Sequence, residues 1–320
     1  MVEMVKAVAY PTIPVLFVSS VRENRWPLHD TMGLAVTDLK EETRVETTVH
    51  KTDSGKLDSF TVGKEKLDLA RLTSVKDVLN IFQRESGKKY GIKVESENFN
   101  VYSGSSDAGA AALVVALDEM FKTNYSTERI SELGMMISES TIRAIYGGLN
   151  IMVVEGIGAP YGKQLSSEKD LEDIRIFAMG FDYETRVSAT EIFQLTRSNP
   201  FYDYRLKMVP QWAAEIKLGL LNKDWKKVFS VAELNCDNAH YLIESSGVRC
   251  RKKEMMNAVI DVEEIRATGL PVYWTAGGGK VINAFSWGKD ADKVLAELKK
   301  RGQKPIEYKV APGAKIIEKK

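Results

Sequence analysis

The chain has 320 residues, with 45 Lys and Arg against 44 Asp and Glu for a net charge of +1, and 28% of its residues are charged. That length is about twice a usual domain and predicts two of them, while the charge balance provides no basic surface for nucleic acid and no one-sided cationic helix for a membrane. Two cysteines, Cys236 and Cys250, and three histidines, His29, His50 and His240, are too few and wrongly spaced for a disulfide framework, a zinc cluster or an imidazole metal site, so a reduced, cytoplasmic setting is expected.

In chain order, residues 1–10 lack the apolar core of a signal peptide and no run of about 18 apolar residues follows, so neither secretion nor a membrane span is expected. Apolar runs at 15–18 and 33–37 predict strands, and residues 44–50 and 57–62 alternate around Asp53-Ser54-Gly55 like the arms of a hairpin. Helices are predicted at 75–85 and 126–146; in the second, Ile130, Leu133, Ile137 and Ile145 share a face, Ser126 is the N-cap and Gly147-Gly148 ends it. Residues 149–154 return as a strand, and a boundary near Phe181 divides the chain into domains 1–180 and 181–320. Beyond it come helices at 189–197, at 204–221 with a kink or restart at Pro210, at 225–245 and at 252–268. A strand at 272–275, a glycine turn at 277–279, a strand at 281–286 and a helix at 291–301 complete an α+β pattern of antiparallel sheets backed by helices.

Residues Ser103-Gly104-Ser105-Ser106-Asp107-Ala108-Gly109-Ala110-Ala111-Ala112 run directly into the apolar stretch 113–117. A small-residue loop feeding a helix N-terminus gathers free backbone N–H groups where the peptide dipoles favour an anion, and only small residues let a polyphosphate come close. Ser105 and Ser106 add hydroxyls for phosphate oxygens or a magnesium ion. The same pattern also suits an ordinary loop capping a buried helix. Asp107 narrows the choice, because a carboxylate beside a triphosphate is repelled unless a cation lies between them; it argues for a magnesium nucleotide or for none.

Two other glycine clusters fit phosphate motifs less well. Gly156-Ile157-Gly158 follows a strand, but Pro160 and Gly162 stand where a dinucleotide-binding helix would begin, so a hairpin is expected. Gly277-Gly278-Gly279-Lys280 lacks the flanking glycine and Ser/Thr of a Walker loop, with Trp274 and Val281 in their places, yet three glycines after a strand imply close backbone approach to a ligand or a helix. Glu139 and Arg143 stand four apart in the helix ending at Gly147 and so point the same way. They form a solvated surface pair unless Ser138 and Ser140, which make the turn small and polar, mark a polar cavity; there the carboxylate would bind a hydroxyl and the arginine a carboxylate or phosphate.

Read in order, Ala9-Tyr10-Pro11-Thr12-Ile13, the 103–109 loop, Ser138-Glu139-Ser140-Thr141-Ile142-Arg143 with Tyr146-Gly147-Gly148-Leu149, and Thr190-Glu191-Ile192-Phe193-Gln194-Leu195-Thr196 resemble the diphosphomevalonate decarboxylase branch of the GHMP kinases. The resemblance implies an α+β, two-domain GHMP kinase fold, with a ribosomal S5 domain 2-like N-terminal domain for ATP and a ferredoxin-like C-terminal domain for substrate. MgATP and mevalonate would meet between them, and a homodimer is expected.

Two departures separate branches of that family. Its decarboxylases carry a lysine in a Lys-Tyr-Trp-Gly segment, where Phe17 stands here, and an aspartate in an Asp-Ala-Gly-Pro-Asn segment, where Thr275 stands here. In this the pattern is similar to the mevalonate 3-kinases of thermoacidophilic archaea, which phosphorylate the tertiary alcohol and stop. Phosphoryl transfer through a loose transition state proceeds on positioning and charge neutralisation. Decarboxylation must also assist departure of the 3-phosphate as positive charge develops at a tertiary carbon, and neither Phe17 nor Thr275 carries a charge to do so.

By position, the resemblance implies that Gly104, Ser105, Ser106, Asp107 and Gly109 cradle the ATP phosphates, with Ser106 and Asp107 holding magnesium. It sets Ser103, Glu139, Arg143, Phe17 and Thr275 around mevalonate, Glu139 at a hydroxyl and Arg143 at the carboxylate. Arg186, or Thr185 if the alignment slips by one, falls at the carboxylate or the transferring phosphate. The expected reaction is ATP-dependent phosphorylation of the 3-hydroxyl of mevalonate without decarboxylation; a decarboxylase of a phosphorylated mevalonate and a non-catalytic nucleotide sensor are the alternatives.

Overall fold

The strands, in chain order, are β1 (Met4–Ala9), β2 (Thr12–Leu16), β3 (Thr31–Asp38), β4 (Arg44–Thr52), β5 (Leu57–Val62), β6 (Glu65–Lys66), β7 (Gly91–Phe99), β8 (Leu149–Val153), β9 (Tyr161–Ser166), β10 (Ile174–Gly180), β11 (Tyr273–Ala276), β12 (Val281–Trp287), β13 (Ile306–Val310) and β14 (Lys315–Lys319). The helices are α1 (Leu69–Ser86), α2 (Ser105–Phe121), α3 (Thr127–Met135), α4 (Ile142–Tyr146), α5 (Ala189–Ser198), α6 (Tyr202–Leu221), α7 (Trp225–Ser245), α8 (Lys253–Ala267) and α9 (Ala291–Lys300). This computed structural model describes residues 2–22, 25–67, 69–182, 188–278 and 280–320.

Two sheets result. One has the order β14-β1-β4-β7-β5-β6, and the other β11-β12-β10-β13-β3-β8-β9 with β2 laid on β3. Val45, Thr47 and Val49 of β4 and Ile92, Val94 and Ser96 of β7 turn to the buried face of the first sheet, the period-two pattern of a half-covered strand. The alanine-rich α2 lies on that face: Ala108, Ala110, Ala111, Ala112 and Ala116 are small enough to bring the helix close, and they share a core with Val5, Ala7, Val45 and Val49. The second sheet is covered by α6 and α7, whose Val209, Trp212, Ile216, Val228 and Phe229 pack with Leu34, Ile151, Ile176 and Phe285. Strand pairing crosses position 180 in both sheets, since β14 pairs with β1 and β13 joins β10 to β3. The α+β architecture matches expectation, and among the described residues no helix is long and apolar enough to cross a membrane.

Three expectations change. β4 and β5 do not form a hairpin: β7 lies between them, antiparallel to β4 and parallel to β5. A parallel neighbour requires a long crossover, which α1 supplies by burying Val75, Val78, Leu79 and Phe82. The predicted helix over 126–146 is two, because α3 stops at Met135 and α4 starts at Ile142. The amides of Ile137 and Ser138 both return to the Gly134 carbonyl, and Thr141 Oγ1 donates to the carbonyls of Gly134 and Ser138, replacing helical bonds with a tight turn. Finally, of the kink or restart expected at Pro210 the restart is absent, since the residue sits inside an uninterrupted α6. The 156–158 segment is, as expected, the connection of the antiparallel β8–β9 pair.

Candidate active site

The first turn of α2 has no side-chain cap, so its leading amides face outward as free donors. Its N-cap, Gly104, must be glycine for two reasons: its φ is 75°, and a Cβ there would sit 2.5 Å from the amide nitrogen and the carbonyl oxygen of Thr12. Strand β2 thereby lies against the loop. Thr12 Oγ1 donates to Asp107 Oδ2 and Ser138 Oγ to Asp107 Oδ1, each at 2.6 Å, so one buried carboxylate ties together β2, α2 and the 136–141 turn. Burial pushes the Asp107 carboxyl above its ordinary range, against the opposing pull of Arg143 and the two hydroxyls.

Arg143 enters the same cavity from α4. The residue is 4% exposed; burial lowers its pKa, while Asp107 and Glu139 support its charge. Gly33 of β3 makes its seat, since a Cβ there would lie 2.4 Å from the Arg143 Cδ and Nε. Within that seat Nε and Nη2 have no hydrogen-bond partner among the described residues, a pair of adjacent donors in a desolvated wall. The expected pairing with Glu139 is corrected: Glu139 belongs to the turn and not to a helix, and its Oε2 accepts from Arg25 Nη2 at 2.5 Å instead.

The cavity is lined by Phe17, Ser103, Gly104, Ser106, Asp107, Glu139 and Arg143 from the expected set, joined by Thr12, Arg71, Ile192, Gly277 and Gly278. Ser105, Gly109 and Thr275 do not line it. Ser105 is the first residue of α2, and a Cβ on Gly109 would point to Ser96 Oγ and Val45 Cγ1 of the sheet, 3.8 and 4.0 Å away. The Thr275 hydroxyl donates to the Pro14 carbonyl at 3.0 Å and is buried beneath the wall. Arg186 and its neighbour Thr185 lie outside the described residues, as does Gly279. The glycine turn gives close approach to a helix: a Cβ on Gly278 would lie 2.3 Å from Ile192 Cδ1 of α5.

Phe17 is held by its backbone. Its amide donates to Asn235 Oδ1 at 2.8 Å, and its carbonyl accepts from Arg205 Nη2 at 2.9 Å. Arg205 is fully buried with no carboxylate at ion-pair distance among the described residues, and burial lowers its pKa to about 10. Its Nε donates to Ser19 Oγ at 2.9 Å; Ser19 in turn donates to His29 Nε2 at 2.6 Å, and His29 Nδ1 donates to the Asp30 carbonyl at 2.7 Å. This one-way relay requires a neutral imidazole. Sequence reading passed over Thr12, although it stood inside a quoted motif, and took Ser138 only as a mark of polarity, not as a partner of Asp107. Arg25 and Arg205 gave no signal, since their partners lie 114 and 188 positions away in the chain.

Among the described residues no cluster of three or more His, Cys, Asp or Glu side chains could hold a metal. Magnesium is commonly carried by phosphates with one or two protein oxygens and several waters. Ser106 and Asp107 are the side-chain oxygens at the α2 N-terminus where such an ion would rest.

These features define a phosphoryl-transfer fold: the chain belongs to the diphosphomevalonate decarboxylase-like branch of the GHMP kinases, with residues 19–156 matching the diphosphomevalonate decarboxylase-like N-terminal domain and residues 189–291 the mevalonate-3-kinase C-terminal domain. It is 28% identical to the mevalonate-3-kinase of Picrophilus torridus over 98% of both chains. Its structure is similar to that of mevalonate-3-kinase from Thermoplasma acidophilum with mevalonate 3-phosphate and ADP bound, at a TM-score of 0.88 and 25% identity over 100% of both chains. It shares the fold of mevalonate diphosphate decarboxylase from Staphylococcus aureus, at a TM-score of 0.87 and 23% identity over 99% of both chains.

Proposed function

We propose that the chain is an ATP-dependent mevalonate 3-kinase, transferring a phosphoryl group to the tertiary 3-hydroxyl of mevalonate and stopping there. The observation that carries this reading is Arg143: a buried arginine with two unpartnered guanidinium nitrogens among the described residues, in the wall of the same cavity as the uncapped N-terminus of α2. A guanidinium fork matches a carboxylate. The helix terminus suits phosphates.

In this reading the α2 amides and Ser106 take the β- and γ-phosphates, and Gly104 keeps the loop close enough for them to do so. Arg143 takes the carboxylate, and Glu139, whose Oε1 is not engaged by Arg25, takes a hydroxyl. Ser103 and Thr12 add polar contacts on the wall between the two ligands. Magnesium held by Ser106 and Asp107 would neutralise the phosphate charge. Transfer then rests on alignment and charge neutralisation. Loss of the phosphate and carbon dioxide lacks support, since Phe17 presents an apolar ring and Thr275 commits its hydroxyl to Pro14. Initial rates of ADP formation test the reading: they should depend on mevalonate and vanish without it, and ADP formation indifferent to mevalonate would refute it.

A further inference from the structure

Glu139 lies within electrostatic reach of Arg143, yet the fold directs its carboxylate to Arg25. Arg25 stands on a strap whose ends meet in the Val21–Pro27 bridge, closed by bonds from Arg22 N to Trp26 O at 2.7 Å and from Arg25 N to Arg22 O at 3.0 Å. The strap is fastened on both sides. Arg22 donates to the carbonyls of Gly156 at 2.5 Å and Ile157 at 2.8 Å, and Trp26 packs against Met135, Ile142 and Met152. Between these fastenings Arg25 has a φ of 65°, a left-handed conformation that a non-glycine residue keeps only where its surroundings impose it.

The consequence concerns Arg143. If Glu139 paired with Arg143, a carboxylate of the protein would hold the guanidinium in the cavity wall, and an anionic substrate group would meet a neutralised site. With Glu139 on Arg25, the Arg143 Nε and Nη2 are without partners and Glu139 Oε1 is not engaged by Arg25. We propose that Arg25 is a specificity-determining positioning residue: it draws Glu139 off Arg143, so that Arg143 keeps its fork for a substrate carboxylate and Glu139 keeps one oxygen for a substrate hydroxyl. Arg25 is not a catalytic residue. It lines the neighbouring cleft with Arg22, Gln194 and Arg197 and acts on the cavity through Glu139. This assignment rests on the mevalonate kinase reading above.

The test is a double-mutant cycle on the full chain, with initial rates of ADP formation measured against mevalonate and against ATP for wild type, Arg25→Met, Arg25→Lys, Glu139→Gln and the Arg25→Met/Glu139→Gln pair. Arg25→Met should raise the KM for mevalonate about tenfold or more and that for ATP less than about twofold, and Arg25→Lys, which keeps the charge, should recover most of the loss. In the Glu139→Gln background, where Glu139 no longer competes for Arg143, Arg25→Met should add less than about twofold. Multiplicative effects of the two substitutions, equal rises in both KM values, or a lysine variant no better than methionine would show that Arg25 only fastens the strap, and would overturn the assignment. If Arg25→Met does not fold, Arg25→Gln carries the same comparison. A wild-type chain without mevalonate-dependent ADP formation would overturn the functional reading and this assignment with it, whereas an active wild type that fails the cycle overturns this assignment alone.

Discussion

Thr12 Oγ1 donates a 2.6 Å hydrogen bond to Asp107 Oδ2, joining the strand under the cavity to the first turn of the phosphate-facing helix. With the matching bond from Ser138 and the charge of Arg143 nearby, Asp107 is the point at which three walls of the cavity meet. Replacing it by alanine leaves two buried hydroxyls without their acceptor and Arg143 with less compensation, so Asp107→Ala should cost about 2 to 4 kcal/mol of stability. Urea denaturation measures this. If Asp107 serves only a metal ion, stability will hold and the magnesium requirement alone will shift.

Gly104→Ala tests the phosphate end. The added methyl meets the Thr12 backbone at 2.5 Å in a residue whose φ is 75°. The left-handed backbone alone costs about 1 to 2 kcal/mol, and relief of the clash must move β2 or the loop. ATP affinity should fall while a Gly109→Ala variant, with ordinary van der Waals room at 3.8 Å, stays near wild type. Calorimetric titration of nucleotide compares the two, and equal losses would place Gly109 at the phosphates after all.

Glu139→Gln should keep the fold and ATP binding but lower kcat for mevalonate by about a hundredfold, or about 2.7 kcal/mol, because a neutral amide makes a weaker bond to a hydroxyl and no longer balances Arg25. Steady-state kinetics at saturating ATP read this out. Unchanged kcat and KM would remove Glu139 from the reaction.

Much of this site was legible in the sequence because its parts are local. The small-residue stretch from Ser103 to Gly109 and the Ser138–Arg143 turn each fall within a few residues, and the structure brings both to one cavity. What was hidden depends on partners distant in the chain. Glu139 and Arg143 suggested a pair by helical spacing, but Thr141 breaks the helix between α3 and α4 and Arg25 takes the carboxylate. The hairpin of β4 and β5 failed similarly, since period-two alternation marks a strand without naming its neighbour, and β7 inserts by a crossover through α1. Thr275 stood at a family position, yet its orientation depends on the Pro14 carbonyl on another strand.

His29 gives a pH dependence with a definite sign. Burial first and Arg205 second lower its pKa from 6.5 to about 3, so the folded chain keeps it neutral where the unfolded chain takes up a proton. Its contribution is therefore complete above the unfolded pKa of 6.5 and is lost as pH falls towards 3. Between about pH 6 and pH 4 that linkage amounts to about 2 kcal/mol. Chemical denaturation across this range should show a shallower pH dependence for His29→Gln, which retains an acceptor for Ser19. Equal slopes for the two proteins would mean that His29 is protonated in the fold.

The most direct measurement follows the phosphate itself: incubate the protein with ATP, magnesium and mevalonate, assign the phosphorylated carbon by phosphorus NMR, and trap any carbon dioxide. Phosphate on the C3 oxygen, one per ADP formed and without carbon dioxide, is the expected result. Phosphate on C5, or carbon dioxide released one-for-one with ADP, would contradict it.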